Sequence, residues 1–214
     1  AAASAEARDA KKEKQQRRML ISALEDVVLD GPVRLPCEPA VQVDQLYVEK
    51  CKFMDSIRRP LWVGMRNADV SSFPVFLLQK CGDDMRQDAL ILNLFGVMDR
   101  LWLNEGLDLH MSVYKCIPTG KDEGLVEIVL NSKSVAQIQK DYGGATAALR
   151  KGALMKWLRA HNPDQDDYQS AVENFMYSCA AYCVGTYVLG IGDRHNDNIL
   201  VTTSGHIFHI DFAR

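Results

Sequence analysis

Near its carboxyl end the chain reads Gly190-Ile-Gly-Asp-Arg-His-Asn-Asp-Asn198, and then Ile199-Leu-Val-Thr-Thr-Ser-Gly-His-Ile-Phe-His-Ile-Asp-Phe212. Two apolar runs on either side of Thr-Thr-Ser-Gly predict a β-hairpin. If Ser204-Gly205 is its two-residue turn, Asn198 lies directly opposite Asp211 at the open end. A four-residue loop would instead shift this register by two.

The predicted register brings an amide oxygen and a carboxylate together, because neighbouring strands lie about 4.8 Å apart. Mg²⁺ prefers such oxygen donors and needs only one or two protein ligands when substrate phosphates complete its shell. Asn198 and Asp211 are therefore candidate metal ligands. Taken alone, the two residues are better explained as ordinary turn-forming residues at two strand ends.

The loop before the hairpin favours the catalytic interpretation. Six polar or ionisable residues, Asp193 to Asn198, follow an apolar helix, which is how a rigid scaffold presents reactive groups. Asp193 and Asn198 have the D-x-x-x-x-N spacing of the protein-kinase catalytic loop, and Asp211-Phe212 follows where a metal-binding Asp-Phe-Gly is expected. By this spacing Asp193 is the catalytic base.

A phosphoryl-transfer site also needs a cation for the nucleotide phosphates. Lys80 ends a predicted strand and Asp88 lies one to two turns into the next helix, as in the lysine–carboxylate pair of kinases. A surface ion pair is the plainer alternative. The chain contains neither GxxxxGK[ST] nor GxGxxG, which argues against P-loop NTPases and dinucleotide-binding enzymes.

Composition sets broader limits on 214 residues with 47% hydrophobic and 25% charged side chains. These values are typical of globular proteins, and the net charge of −3 does not favour nucleic-acid binding. The six cysteines form no CxxC pair, so we expect free thiols in a reducing, cytoplasmic compartment. No secretory signal or membrane span is recognisable.

Apolar periodicity predicts the main helices. A helix over Met19–Leu29 follows a charged segment, and a second covers residues 83–103 with Asp83 or Asp84 as its N-cap. After a helix over Ala147–His161, an apolar stripe from 172 to 188 predicts a helix buried nearly all round. Strands precede helices, so we expect an α+β fold of two unequal lobes with a cleft near Glu127–Asn131.

Three blocks carry a family resemblance: Gly82-Asp-Asp-Met-Arg-Gln-Asp88, the Gly190–Asn198 loop, and Phe208-His-Ile-Asp-Phe212. They are similar to the catalytic domain of phosphoinositide 3-kinases, class I or class II, from about Leu46 to Arg214. Further support comes from Arg59-Pro-Leu-Trp62 and Tyr177-Ser-Cys-Ala-Ala-Tyr-Cys183.

The resemblance implies a two-lobed, protein-kinase-like α+β fold. In it, residues 1–45 would be a helical linker, 46–126 an N-lobe with an antiparallel sheet and one long helix, 127–131 the hinge, and 132–214 a mainly helical, partial C-lobe. The activation loop that contacts the lipid headgroup is expected after Arg214. Ala213 replaces the family's glycine, so we expect the chain after the metal site to be restricted, because alanine disfavours positive φ.

The resemblance also implies a site that binds ATP and Mg²⁺. The phosphate loop would be Met54, Asp55 and Ser56, and Trp62 would cover the nucleotide. Lys80 would contact the phosphates. The adenine pocket and its surroundings would be formed by Asp88, Tyr114, Glu127, Val129, Leu200 and Ile210. Asn198 and Asp211 would bind the metal.

The two lines of reasoning differ on the base. The resemblance assigns proton transfer to His195 and leaves Asp193 supporting, and we follow it because histidine can exchange a proton near neutral pH. The expected function is transfer of the ATP γ-phosphoryl group to the 3-hydroxyl of a phosphatidylinositol at a membrane surface. A regulatory subunit or small GTPase would bind through domains outside this chain. The alternatives are a protein serine/threonine kinase of the same superfamily and a nucleotide-binding pseudokinase or scaffold.

Overall fold

A computed structural model describes residues 2–54, 56, 58–143 and 152–212. The chain divides into two compact units, the first formed by Ala1–Arg86 and Lys115–Ile128, the second by Gln87–Tyr114 and Val129–Arg214. The change from one to the other after Ile128 falls within residues 127–131, where the sequence predicts a hinge. Residue 213, where alanine replaces the expected glycine, lies outside the described residues.

The first unit is built on an antiparallel sheet. In the described part of this unit, seven strands pair in the order β1-β2-β4-β5-β7-β6, and β3 pairs with β4. Their bounds are β1 Val33–Arg34, β2 Gln42–Leu46, β3 Lys52–Phe53, β4 Leu61–Asn67, β5 Val75–Cys81, β6 Cys116–Gly120 and β7 Glu123–Glu127. Helix α1, Ala2–Glu25, precedes the sheet. It ends four residues before the Leu29 that the periodicity predicts.

Apolar side chains from the strands and from the connection between β1 and β2 form the core of this unit. Buried residues of the cluster are Leu35, Cys37, Val43, Met65 and Leu77. Together with β4, β5 and β7 at the centre of the sheet, they give a stable support for the side chains carried by β4 and β5. The antiparallel sheet that the sequence predicts is confirmed.

The second unit is mainly helical. Its first element, α2, is Arg86–Asn104 and begins at the last residue of the first unit. The others are β8 Ser132–Ser134, α3 Val135–Gly143, α4 Ala153–His161, α5 Gln165–Val188, β9 Ile199–Thr202 and β10 Ile207–His209. The three strands form a small antiparallel sheet in the order β10-β9-β8. The sequence predicts that the helix here begins at Ala147, but most of the residues from Ala147 to Ala153 lie outside the described residues. Among the described residues, no helix has the length and apolarity needed to cross a bilayer.

Helix α5 begins at an acidic cap and packs through its small residues. The Asp164 carboxylate accepts the Asp166 N–H at 2.8 Å, which satisfies a donor of the first turn. The buried face consists of Ala171, Ser178, Ala181, Tyr182 and Gly185. At Gly185 an added Cβ would lie 2.7 Å from a ring carbon of Phe95, so only glycine allows this approach of α5 to α2.

The prediction that α5 is buried nearly all round is wrong. Four of its apolar side chains are between 51% and 87% exposed: Met176, Val184, Tyr187 and Val188. A periodic stripe identifies which residues are apolar, but it does not tell whether a neighbour covers them. The close approach takes place on the side with Ala181 and Gly185, whereas the exposed Met176 and Tyr187 lie on the other side.

The predicted hairpin forms, but its register differs from the predicted one by one residue. The pairs are Ile199 with His209, Leu200 with Phe208 and Val201 with Ile207. Thr202 donates its N–H to His206 O at 2.9 Å, so three residues form the loop, with Gly205 at φ +94°. A left-handed glycine closes such a loop easily, and the two-residue turn is not used. Asn198 is consequently opposite Ile210 and not Asp211.

Candidate active site

Asn198 is held at the junction between the loop and the hairpin. Its carbonyl oxygen accepts the Ile210 N–H at 3.0 Å, and its own N–H donates to His195 O at 2.9 Å. The side chain is 9% exposed, and its Nδ2 donates to Asp193 O at 3.1 Å. With the nitrogen directed at the loop, the carboxamide oxygen lies on the other side of the amide group. An amide oxygen fixed in this way is a suitable ligand for a hard cation.

Asp211 is exposed, whereas its neighbour Phe212 is buried. Phe212 is 3% exposed and packs edge-on against Phe95 of α2, with ring centroids 5.7 Å apart. Its N–H donates to Asp88 Oδ1 at 2.9 Å, which ties the Asp-Phe pair to the first turn of α2. Asp211 itself has φ +54°. This left-handed residue interrupts the alternation of the strand, so hairpin register alone does not determine where its carboxylate points.

Arg194 joins the loop to the segment that carries Asp211. Its guanidinium donates to Gly192 O at 2.8 Å, Ile210 O at 2.6 Å and Asp211 O at 2.7 Å. It also lies 5.3 Å from the Phe212 ring centroid. One rigid, five-donor side chain therefore fixes both segments at once. Sequence reasoning missed this role; the available signal was an arginine between the two candidate acid–base residues.

The pKa of Arg194 is affected by its burial and by acidic groups near it. Burial lowers this pKa, and the opposing influences come from Asp193, Asp211, Tyr114 and Asp88. A guanidinium remains charged in proteins, so the effect on function is electrostatic. The arginine places a positive charge among the acidic groups of the candidate site, which reduces their mutual repulsion.

His195 and Asp193 are both exposed in the loop and available to a substrate. The Asp197 N–H donates to His195 Nδ1 at 3.3 Å, and the Asp197 carboxylate lies 3.9 Å from the same nitrogen. When Nδ1 accepts the Asp197 N–H, the imidazole hydrogen is on Nε2. In the other tautomer the hydrogen is on Nδ1, where the Asp197 carboxylate is its partner, and Nε2 can then accept a proton. Asp193 has φ +54°, and its carbonyl is the acceptor for Asn198 described above.

The first unit carries the predicted phosphate loop and strand residues. Met54 is half-buried and Ser56 exposed at the end of β3, whereas Asp55 lies outside the described residues. Trp62 on β4 packs against Phe76 at 5.7 Å between ring centroids. Lys80 on β5 is half-buried and pairs with Gly124 of β7, so a central strand fixes its position.

The remaining candidates lie at the ends of strands or in the core. Glu127 pairs with Leu77 at the end of the first unit, and its N–H donates to Lys115 O at 2.8 Å. In the second unit, Val129 O accepts the Ser132 hydroxyl at 2.7 Å, and Leu200 sits in the middle strand of the small sheet. Tyr114 is 7% exposed and packs edge-on against Phe208, with centroids 5.9 Å apart.

The donors in the second unit suit a metal that is held jointly with phosphates. In the described ranges, there is no group of three or more His, Cys, Asp or Glu side chains able to hold a metal ion. Asn198 and Asp211, on adjoining segments linked by the Ile210 hydrogen bond, provide an amide and a carboxylate. Two such ligands match the requirement of Mg²⁺ when substrate oxygens supply the rest.

Comparison with known proteins identifies the family of the chain. A family model described as phosphatidylinositol 3- and 4-kinase matches residues 75–214. The chain is 50% identical over 179 residues to phosphatidylinositol 3-kinase 3 of Dictyostelium discoideum, covering 84% of this chain and 10% of that protein. It is 43% identical over 200 residues to the human phosphatidylinositol 4-phosphate 3-kinase C2 domain-containing subunit beta, covering 92% of this chain and 12% of that protein. The chain thus spans about a tenth of the length of these curated relatives.

Proposed function

The chain belongs to the phosphatidylinositol 3- and 4-kinase family, and on that premise we propose that it is the nucleotide-binding part of a phosphatidylinositol 3-kinase. The reaction is transfer of the ATP γ-phosphoryl group to the 3-hydroxyl of phosphatidylinositol or a phosphate derivative of it. The 3-position is the one that the names of its relatives carry. Because this substrate is a lipid headgroup, the protein would be cytoplasmic and recruited to membranes.

One observation carries the proposal: Arg194 joins the two segments that hold the candidate residues. The loop carries the exposed Asp193 and His195, and the oxygen donors are Asn198 and Asp211. The three main-chain carbonyls that Arg194 binds come from the loop and from the segment after β10. Phosphoryl transfer depends on positioning and on charge stabilisation more than on covalent chemistry by the protein. A rigidly joined loop and hairpin satisfy the first of these needs.

In the proposed mechanism the oxygen of the acceptor hydroxyl attacks the γ-phosphorus while His195 Nε2 takes the hydroxyl proton. The bond from the γ-phosphorus to the β–γ bridging oxygen breaks, and ADP leaves. The Asp197 carboxylate, 3.9 Å from Nδ1, stabilises the imidazolium that results. Lys80 offsets negative charge on the phosphates. A magnesium ion held by Asn198 and Asp211 would supply further charge neutralisation when bound. Asp193 supports the loop through its carbonyl, which accepts the Asn198 amide.

The test is transfer of labelled phosphate from ATP to phosphatidylinositol vesicles by the full-length protein. His195→Ala should lower kcat by about 10²-fold or more while ATP affinity is kept, since a positioned base contributes about 10²–10⁴-fold. His161→Ala, an exposed histidine of α4, is the matched control and should retain full transfer. Asp193→Asn should cost less than His195→Ala if the histidine is the base.

Three results would contradict the proposal in different ways. Unchanged turnover in His195→Ala removes the histidine from the mechanism and leaves Asp193 as the base. Phosphorylation of serine or threonine in a peptide, without transfer to vesicles, indicates a protein kinase. Binding of ATP with no product from either acceptor indicates a pseudokinase.

A further inference from the structure

The segment between β3 and β4 contains the predicted phosphate loop and is closed by its own main chain. Met54 donates its N–H to Pro60 O at 2.9 Å, and Arg59 donates to Ser56 O at 3.1 Å. These bonds join residues 54 and 56 to residues 60 and 59, and the described residues of the segment, 54, 56 and 58–60, are called the turn. The pairing of Phe53 with Leu61 anchors both ends of the turn in the sheet, and side chains add connections to elements outside it.

Two consecutive arginines make those connections, in different directions. Arg58 forms an ion pair with Asp83, just before α2. Arg59 donates from Nη1 to Gln16 Oε1 of α1 at 2.6 Å, across 43 positions in the chain. The Arg59 guanidinium also lies 5.3 Å from the ring centroid of Phe53 in β3. The turn is thus connected to α1 through Arg59 and to the start of α2 through Arg58.

The backbone of Arg59 shows that its surroundings constrain it. Its φ is +47°, a left-handed conformation that costs free energy in a residue other than glycine. Such a conformation persists when contacts over-determine it. The contacts in question are the hydrogen bond to Gln16 and the stacking on Phe53.

The packing between α1 and the turn leaves an open cavity. A cavity of about 390 Å³ separates them, and its lining consists of Gln16, Met19, Leu20, Ala23, Phe53 and Arg59. Where apolar contact is incomplete, dispersion and burial contribute little to fixing the two segments. The hydrogen bond from Arg59 to Gln16, which is exposed to solvent, is a direct side-chain connection between the two segments.

We propose that Arg59 is a positioning residue for nucleotide binding, which rests on the function proposed above. Anchored to Gln16, it holds the turn so that Met54 and Ser56 face the phosphates of ATP. Helix α1, which the sequence indicates only as a linker, is by this reasoning a support of the phosphate-binding turn. The adenine end of the nucleotide does not depend on this contact.

The experiment measures dissociation constants of ATP and of adenosine for the full-length protein. Gln16→Ala and Arg59→Ala should each weaken ATP about tenfold, equivalent to about 1.4 kcal/mol. Adenosine, which has no phosphates, should bind within about twofold of wild type. Gln16→Glu keeps an acceptor for Arg59 and should retain ATP affinity, and Arg18→Ala removes an exposed arginine of the same helix as the control.

The double variant sharpens the test, because two residues that act through one contact are not additive. Gln16→Ala combined with Arg59→Ala should bind ATP no more weakly than Arg59→Ala alone. Equal weakening of ATP and adenosine would show a general structural role and overturn the inference. Unchanged ATP affinity in Gln16→Ala would overturn it as well, while leaving the proposed function intact. A wild-type protein that binds no ATP would refute the proposed function itself.

Discussion

Replacing Gly205 by alanine tests the closest approach between the β9–β10 hairpin and α5. Gly205 is buried at φ +94°, and an added Cβ would overlap the carbonyl oxygen of Ala171. It would also lie 2.7 Å from the carbonyl carbon and 2.9 Å from the Cα of that residue. These are main-chain atoms within a helix, so no side-chain rotation can relieve the overlap.

The expected cost has two parts. A left-handed backbone costs a non-glycine residue about 1–2 kcal/mol. Displacing the hairpin from α5 to make room for a methyl group costs about 1–3 kcal/mol more, as in other overpacked cores. The free energy of unfolding should therefore fall by about 2–5 kcal/mol, a large share of the ~5–15 kcal/mol typical of a domain.

Urea denaturation followed by tryptophan fluorescence measures this change, since Trp157 in the second unit is only 1% exposed. The matched control is Gly106→Ala, where φ is +77° and nothing lies within 4 Å of an added Cβ. That variant loses only the backbone part, so the midpoint of Gly205→Ala should be lower by about 1 M. Equal midpoints would refute the contact between the hairpin and α5.

Two further predictions concern the second unit. Ser178→Ala should lower the free energy of unfolding by about 1–3 kcal/mol, because the Ile207 N–H loses its acceptor, the Ser178 hydroxyl at 2.9 Å. Ser170→Ala, on an exposed position of α5, is its control, and an equal loss in both would contradict the reasoning. Burial, and then nearby His110, lower the pKa of His206, so the unfolded chain binds that proton more readily than the native protein. Stability should be complete above about pH 6.5 and fall as the pH drops below it. His206→Gln should reduce this dependence in denaturation at several pH values without abolishing it, because burial also lowers the pKa of His209 to about 4.

Much of the fold could be predicted from the sequence because the relevant signals are local. The Asp84 side chain that accepts the Arg86 N–H at 3.1 Å belongs to the predicted start of α2. The hairpin was equally recognisable from its two apolar runs. Its register was not, because Gly205 packs against Ala171, which is 34 positions earlier in the chain. A short loop is compatible with several registers, and a distant contact selects one.

In the candidate site, too, some features could be predicted from local sequence signals and others could not. Asp193, Asn198 and Asp211 could be selected by residue type and spacing, and His195 through the family resemblance. The role of Arg194 could not, because its partners are main-chain carbonyls, which every residue possesses. Burial was also beyond local reasoning: Tyr187 belongs to the apolar stripe of α5 and is nevertheless 87% exposed.

The left-handed backbone at Asp193 and Asp211 affects how mutagenesis of this site should be interpreted. Both residues have φ +54°, a region that aspartate and asparagine tolerate better than most other side chains. Alanine scanning at either position would remove a carboxylate and add conformational strain in one step, so a lost activity would have two causes. Asparagine removes the charge but keeps the tolerated geometry, and it is the substitution from which a chemical role can be deduced.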